Sequence, residues 1–134
     1  MVIKSLKNKV MELKLELLSE EQKLDLLITA LEGGSNYWYY LNDLSMLIVK
    51  SDFQTPLVNI IWETVKNGVE VPVFDKENKS EILGKISLEN IDKAEVLMAT
   101  QFKRHYIDAI SDRGDATTAD IWFQLVVMQK IIFA

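Results

Sequence analysis

"VEVPVFDKENKSEILGKIS", residues 69–87, decides the fold. Two short runs, "VEVPVFD" and "EILGKIS", flank the turn-rich "KENKS", the pattern of a β-hairpin whose loop is longer than the tightest type. Pro72 sits inside the first run and cannot donate to a ladder, which places it at a sheet edge or a bulge. On both sides the chain turns helical. Upstream, "TPLVNIIWETVKNG" reads as a helix with Thr55 as its cap, Pro56 in the first turn, where a missing N–H costs nothing, and Gly68 as its stop. Downstream, Ser87 caps "LENIDKAEVLMATQF", and "KRHYIDAIS" either continues that helix or begins another.

Further out the signals are of the same two kinds. In "VMELKLEL", Met11, Leu13, Leu15 and Leu17 alternate with Glu12, Lys14 and Glu16, the period of a strand with one buried face, although every residue there is also a good helix former. Ser19 with Gln22 has the form of a capping box, and Leu24, Leu26, Leu27, Ala30 and Leu31 give the following helix its apolar stripe. Gly33 and Gly34 fall where a left-handed C-cap is expected. "MLIVKSDFQ", residues 46–54, has an extended reading. At the other end, the loop "DRGDAT" leads to Thr117 and Asp120, spaced as a second capping box, and then to "IWFQLVVMQKIIFA". That last helix is apolar on nearly all sides, as befits the central core element or a subunit interface. The order predicts one α+β domain over residues 1–134: a small, about three-stranded, mainly antiparallel sheet packed with four to six helices.

Composition narrows the function classes. The chain has 134 residues, 15 Lys and Arg against 20 Asp and Glu, a formal charge of −5, one His and no Cys. Only Arg104 and Arg113 are arginines. Extended nucleic-acid binding needs a dense basic face, which this balance does not supply. Without Cys, disulfides, thiolate catalysis and Cys-based zinc sites are excluded. No run approaches the length of a membrane span and the N-terminal residues lack a signal-peptide pattern, so the expectation is a cytoplasmic protein with no membrane association.

The familiar catalytic signatures are missing. There is no Walker-type phosphate loop, no Gly-x-Gly-x-x-Gly and no Gly-x-Ser-x-Gly elbow. "SDRGDATTAD" lacks the rhythm of a calcium loop, and its Arg-Gly-Asp triplet is too short to carry an adhesion reading. A lone His105 builds no His-rich metal site. No cofactor and no metal is expected. "GGSNYWYY", residues 33–40, stands out: if residues 36–43 form a helical turn, Tyr37 and Tyr40 share one face while Trp38 lies on another. Not all of these rings then enter one core, and the surplus aromatic surface meets a second element, another subunit or a ligand.

These pieces resemble a family of small, mostly uncharacterised proteins encoded by bacteriophages, prophages and gut bacteria. The resemblance rests on Glu32, Gly33, Gly34, Asn36, Tyr37 and Trp38, a Glu-Gly-Gly-x-Asn-Tyr-Trp motif, and on Asp115, Thr118, Asp120 and Gln124 further on. It spans roughly residues 9–133, including the hairpin, and implies a phage accessory or counter-defence role in the host cell.

The first functional expectation is a non-catalytic binding protein, a homo-oligomer that engages a host protein or a small nucleotide ligand. Its candidate site residues are Asn36, Tyr37, Trp38, Tyr40, Arg104, Arg113, Asp115 and Thr118. Trp38 or Tyr37 would stack on a planar group, Asn36 would orient it, and Arg104 or Arg113 would pair with an anion. One version is a sponge for a nucleotide immune signal. The alternatives are an acidic mimic that blocks a basic host protein through Glu12, Glu16, Glu20, Glu21 and Asp25, and a small hydrolase-like enzyme using His105 with Asp108 or Asp112.

Overall fold

The computed structural model describes residues 17–42 and 56–134. The alternating stretch 11–16, the stretch 46–54 and the Thr55 cap lie outside them. Among these residues five α-helices, one π-helical turn and three strands follow in order: α1 Glu20–Thr29, the π-turn Ala30–Gly34, β1 Tyr39–Tyr40, α2 Leu57–Lys66, β2 Val71–Asp75, β3 Ile82–Ile86, α3 Leu88–Gln101, α4 Lys103–Ile110 and α5 Ala116–Met128. The fold is a small α+β domain with a three-stranded antiparallel sheet in the order β1-β2-β3.

The hairpin forms as its sequence dictates, and Pro72 explains its detail. Val71 faces Ile86, Pro72 faces Lys85, Val73 faces Gly84, and Phe74 faces Ile82, so Leu83 is an additional residue that bulges β3. β2 is the central strand. Yet β1 pairs only Tyr39 with Asp75 and Tyr40 with Phe74, so among the described residues no strand lies beside Pro72 on that edge. A ring without an N–H is tolerated there. The outer edge of β3 is partly closed as well, because Asn90 Nδ2 donates to Lys85 O at 3.0 Å.

The helix boundaries follow their caps. Ser19 and Gln22 form the reciprocal capping box, and the Ser87 hydroxyl accepts from Asn90 N. α2 ends in a Schellman arrangement: Val69 N donates to Thr64 O, Gly68 N donates to Val65 O, and Gly68 takes φ 88°. Pro56 occupies the N-cap of α2, one position before the first turn where the sequence placed it. Phe102, at φ −132°, separates α3 from α4.

α5 is the central element. It packs on α1, α3, α4, β3 and the π-turn, and Trp122, Phe123, Leu125 and Val126 are almost wholly buried. Gly84 lets β3 lie directly on its last turn. Behind it, the buried Glu95 carboxylate of α3 accepts from Leu18 N (2.9 Å) and from the Tyr106 hydroxyl (2.8 Å), with Lys23 Nζ at 4.0 Å, which ties the start of α1 to α3 and α4. A buried carboxylate persists in this way only with partners for its oxygens.

Candidate functional site

The two glycines of "LEGGSNYWYY" do not form a left-handed cap. Neither has positive φ, and α1 runs on through a π-turn that closes with Ser35 N donating to Ala30 O at 2.8 Å. Widening the helix by one residue here brings Gly34 against the start of α5, where a Cβ would lie 2.6 Å from Ala116 O. A Cβ on Gly33 would meet nothing within 4 Å. Gly34→Ala should therefore destabilise the fold by about 2 kcal/mol or more through a backbone clash. Gly33→Ala should change stability by no more than about 1 kcal/mol, with urea unfolding as the readout for both.

After the π-turn the chain reverses and its polar atoms converge on one carboxylate. Asp120 Oδ1 accepts from the Ser35 hydroxyl (2.8 Å) and from Trp38 Nε1 (2.7 Å), while Oδ2 accepts from the Tyr37 hydroxyl (2.6 Å) and Gln124 Nε2 (3.2 Å). Asp120 is thus a tertiary anchor and not the third helical position of a capping box. Trp38 is 1 % exposed, with Phe123 and Phe133 each 5.3 Å from it between ring centres. This corrects the expected stacking role of Trp38, because its faces and its N–H already have partners inside the protein. Its neighbours diverge: Tyr37 is 42 % exposed, Tyr39 donates its hydroxyl to Leu31 O, and the half-buried Tyr40 ring lies under Lys79 Nζ at 4.7 Å. Residues 36–38 form a turn, with Trp38 N donating to Ser35 O at 3.1 Å, and the short strand 39–40 that follows sends the Tyr39 and Tyr40 rings to opposite faces.

Partial burial and, after it, the Asp120 carboxylate push the Tyr37 phenol up to about 12. Since the folded value is raised, the neutral phenol's contribution to stability is complete below pH 10 and is lost as the pH rises from about 10 to about 12. Absorbance titration at alkaline pH, with Tyr37→Phe to assign the signal, should find this late-titrating group. Asp120→Asn should move it back toward the ordinary tyrosine value.

The start of α5 corrects a second expectation. Asp115, not Thr117, is the N-cap: its Oδ1 accepts from Thr118 N (2.9 Å) and from the Thr118 hydroxyl (3.0 Å). These two donors, the backbone N–H first, hold the Asp115 carboxyl below its usual range. With its proton given to Asp115, the Thr118 oxygen accepts from His105 Nδ1 at 2.9 Å. His105 therefore addresses Thr118 and, through it, Asp115, instead of Asp108 or Asp112. Arg104 and Arg113 are exposed, on α4 and in the loop before α5, and line none of the concavities described below. The structure thus joins Tyr37 and Trp38 to the first turns of α5, leaves Asn36 and Tyr40 on the solvent side of the same segment, and keeps the two arginines apart from it.

Two shallow concavities flank this segment, each of about 340 Å³. One is lined by Gly33, Gly34, Tyr37, Ala116, Thr117, Asp120 and Ala134. The other is lined by Asn36, Tyr39, Tyr40, Leu41, Leu57 and Lys76, with Lys76 Nζ donating to Asn36 O at 2.8 Å. A smaller, more enclosed cavity of about 140 Å³ includes Gln22, Asp25, Asp112 and Asp115 in its wall, and a groove of about 690 Å³ runs beside β3 and the end of α5. Among the described residues, no group of three or more His, Asp or Glu side chains is placed to hold a metal. Sequence reasoning passed over Ser35, Lys76, Lys79 and Gln124 as site residues. Asp120 and Gln124 carried one available signal, two polar residues four apart on one face of an otherwise apolar helix. Comparisons with family models, with curated proteins and with solved structures gave no match.

Proposed function

We propose that this protein is a non-catalytic binding module whose site is the solvent face of residues 36–41, and that its ligand is a small planar molecule carrying an anionic group, of nucleotide type. The observation that carries the reading is the concavity of Asn36, Tyr39, Tyr40, Leu41, Leu57 and Lys76, beside a segment tied to Asp120. Its volume of about 340 Å³ falls at the small end of ligand pockets, and it combines aromatic surface with a few polar groups. Tyr40 takes the stacking role first expected of Trp38. Lys76 and Lys79 take the anion-pairing role first expected of the arginines.

The resemblance to small phage and prophage proteins supplies the context: an accessory or counter-defence protein that sequesters a nucleotide signal in the host cytoplasm. Among the described residues no helix is long and apolar enough to cross a membrane, which fits that setting without requiring it. Calorimetric titration with a panel of mononucleotides and cyclic dinucleotides tests the proposal. Lys76→Ala should weaken binding roughly tenfold or more, the scale of a lost charge-assisted hydrogen bond, with the melting temperature held. A wild-type protein that binds none of the panel rejects the ligand class.

A second reading, an acidic surface that occupies a basic host protein, draws on Asp25, Asp112 and Asp115 around the 140 Å³ cavity. Elsewhere acids and lysines are interspersed, with Glu20–Lys66, Glu70–Lys85 and Glu89–Lys93 paired, which favours the nucleotide reading. Salt-sensitive capture of a host protein that is lost in Asp25→Asn would reverse this order.

A further inference from the structure

Gln124 lies in the middle of α5 and is 1 % exposed, yet its amide mainly serves a different segment. Its Oε1 accepts from Ile132 N and Phe133 N, each at 2.9 Å, and its Nε2 donates to Phe133 O at 3.0 Å as well as to Asp120. A buried amide given over to the main chain of an extended segment is the chemistry by which a groove holds a peptide, while a neighbouring pocket selects its side chain. That pocket is present. The Phe133 ring lies parallel to Trp38, 7° between planes and 5.3 Å between centres, and Trp38 is backed by Phe123.

The segment reaches the groove only by a sharp reversal. Gln129 ends α5 in the left-handed region at φ 58°, a conformation unfavourable for a residue with a Cβ, and its side chain folds back onto Leu125 O and Val126 O. Beyond it, Ile131 and Ile132 are 40 % and 52 % exposed, adjacent aliphatic side chains left in water. The segment is therefore fastened by one amide and one ring, through a strained connection.

We propose that this groove is a peptide-binding site exchanged between copies: residues 130–134 of a second copy occupy it, reciprocally, in a tail-swapped dimer. Three features favour this occupant. A second copy carries a segment that already fits the groove, reciprocal exchange fills two identical grooves across a two-fold axis, and an extended connection relieves the reversal at Gln129. Ile131 and Ile132 are then covered at the new contact. The tail in its own groove competes at high effective concentration, so the dimer grows as the protein is concentrated.

Native mass spectrometry of the full chain, from micromolar to hundreds of micromolar, tests this. Wild type should show a growing dimer, and Gln129→Gly, which removes the cost of the left-handed reversal from the monomer at both hinges while leaving the exchanged contact alone, should reduce it about tenfold or more. Circular dichroism establishes that the variant is folded. In a second arm, a synthetic Lys-Ile-Ile-Phe-Ala peptide added to full-length Phe133→Ala should raise its melting temperature saturably, and the peptide with Ala in place of Phe should not. A monomer throughout the range, a dimer indifferent to Gln129→Gly, or a peptide without effect overturns the proposal.

Discussion

Asp120→Ala is expected to destabilise the protein by about 3–5 kcal/mol, because it strands several donors at once. Trp38 Nε1 is lost to solvent in a nearly fully buried ring, and the Ser35 hydroxyl belongs to a residue with no exposed surface, so neither recovers a partner from water. The exposed Tyr37 hydroxyl does recover one and adds little. Asp120→Asn keeps an acceptor oxygen for Trp38 and Ser35 but turns an amide toward Gln124 Nε2, donor against donor, and should cost about 1–2 kcal/mol. Urea unfolding with matched slopes separates the three proteins. Near-ultraviolet circular dichroism should lose the Trp38 signal first, since the indole's orientation depends on this bond.

Gly84→Ala should have an effect of similar or greater size by a different route. A Cβ at Gly84 would lie 1.9 Å from Val127 O and 2.9 Å from its carbonyl carbon. Both are backbone atoms of the central helix, so no rotamer change relieves the overlap. Either β3 lifts from α5 or the end of α5 shifts, and overpacking against backbone places the cost at about 3 kcal/mol or above. A variant that unfolds in urea at the wild-type midpoint would mean that the strand and helix are not in this contact.

Both effects are long-range, and they mark where the sequence ceased to be legible. Local chemistry was readable: Ser19 with Gln22, Ser87 as a cap, Gly68 as a stop, and the hairpin about residues 76–80 each depend on neighbours a few positions away. The apolar run in α5 identified the core helix because a helix buried along most of its length carries few polar residues. Gly33 and Gly34 do lie at the helix end, as Gly-Gly usually does, but they form no left-handed cap. The setting of Gly34, in a π-turn pressed on Ala116, depends on a contact more than eighty positions away. Thr117 and Asp120 fitted a capping-box spacing, but Asp115 took the cap, which released Asp120 to hold Ser35, Tyr37 and Trp38. The third strand, at 39–40, had no signal of its own, since two residues pair only because β2 is already in place.

The aromatic segment meets the start of α5 through Asp120. What could not be read was the direction of each ring: the turn at residues 36–38 buries Trp38 and exposes Tyr37, and among the described residues the hairpin loop brings Lys76 and Lys79 to the segment. Phe133 and Gln124 add a third party, the chain's own last residues, to a surface that looked like a single motif.

The central claim is that Asp120 anchors the aromatic segment through the Trp38 indole, and the indole N–H reports on it directly. In a nitrogen–proton correlation spectrum, the Trp38 Nε1–H signal should resist solvent exchange and shift markedly in Asp120→Asn. The indole of Trp122, which is buried with no hydrogen-bond partner among the described residues, should stay in place. A Trp38 signal that exchanges rapidly, or one that ignores the Asp120 substitution, would contradict the account.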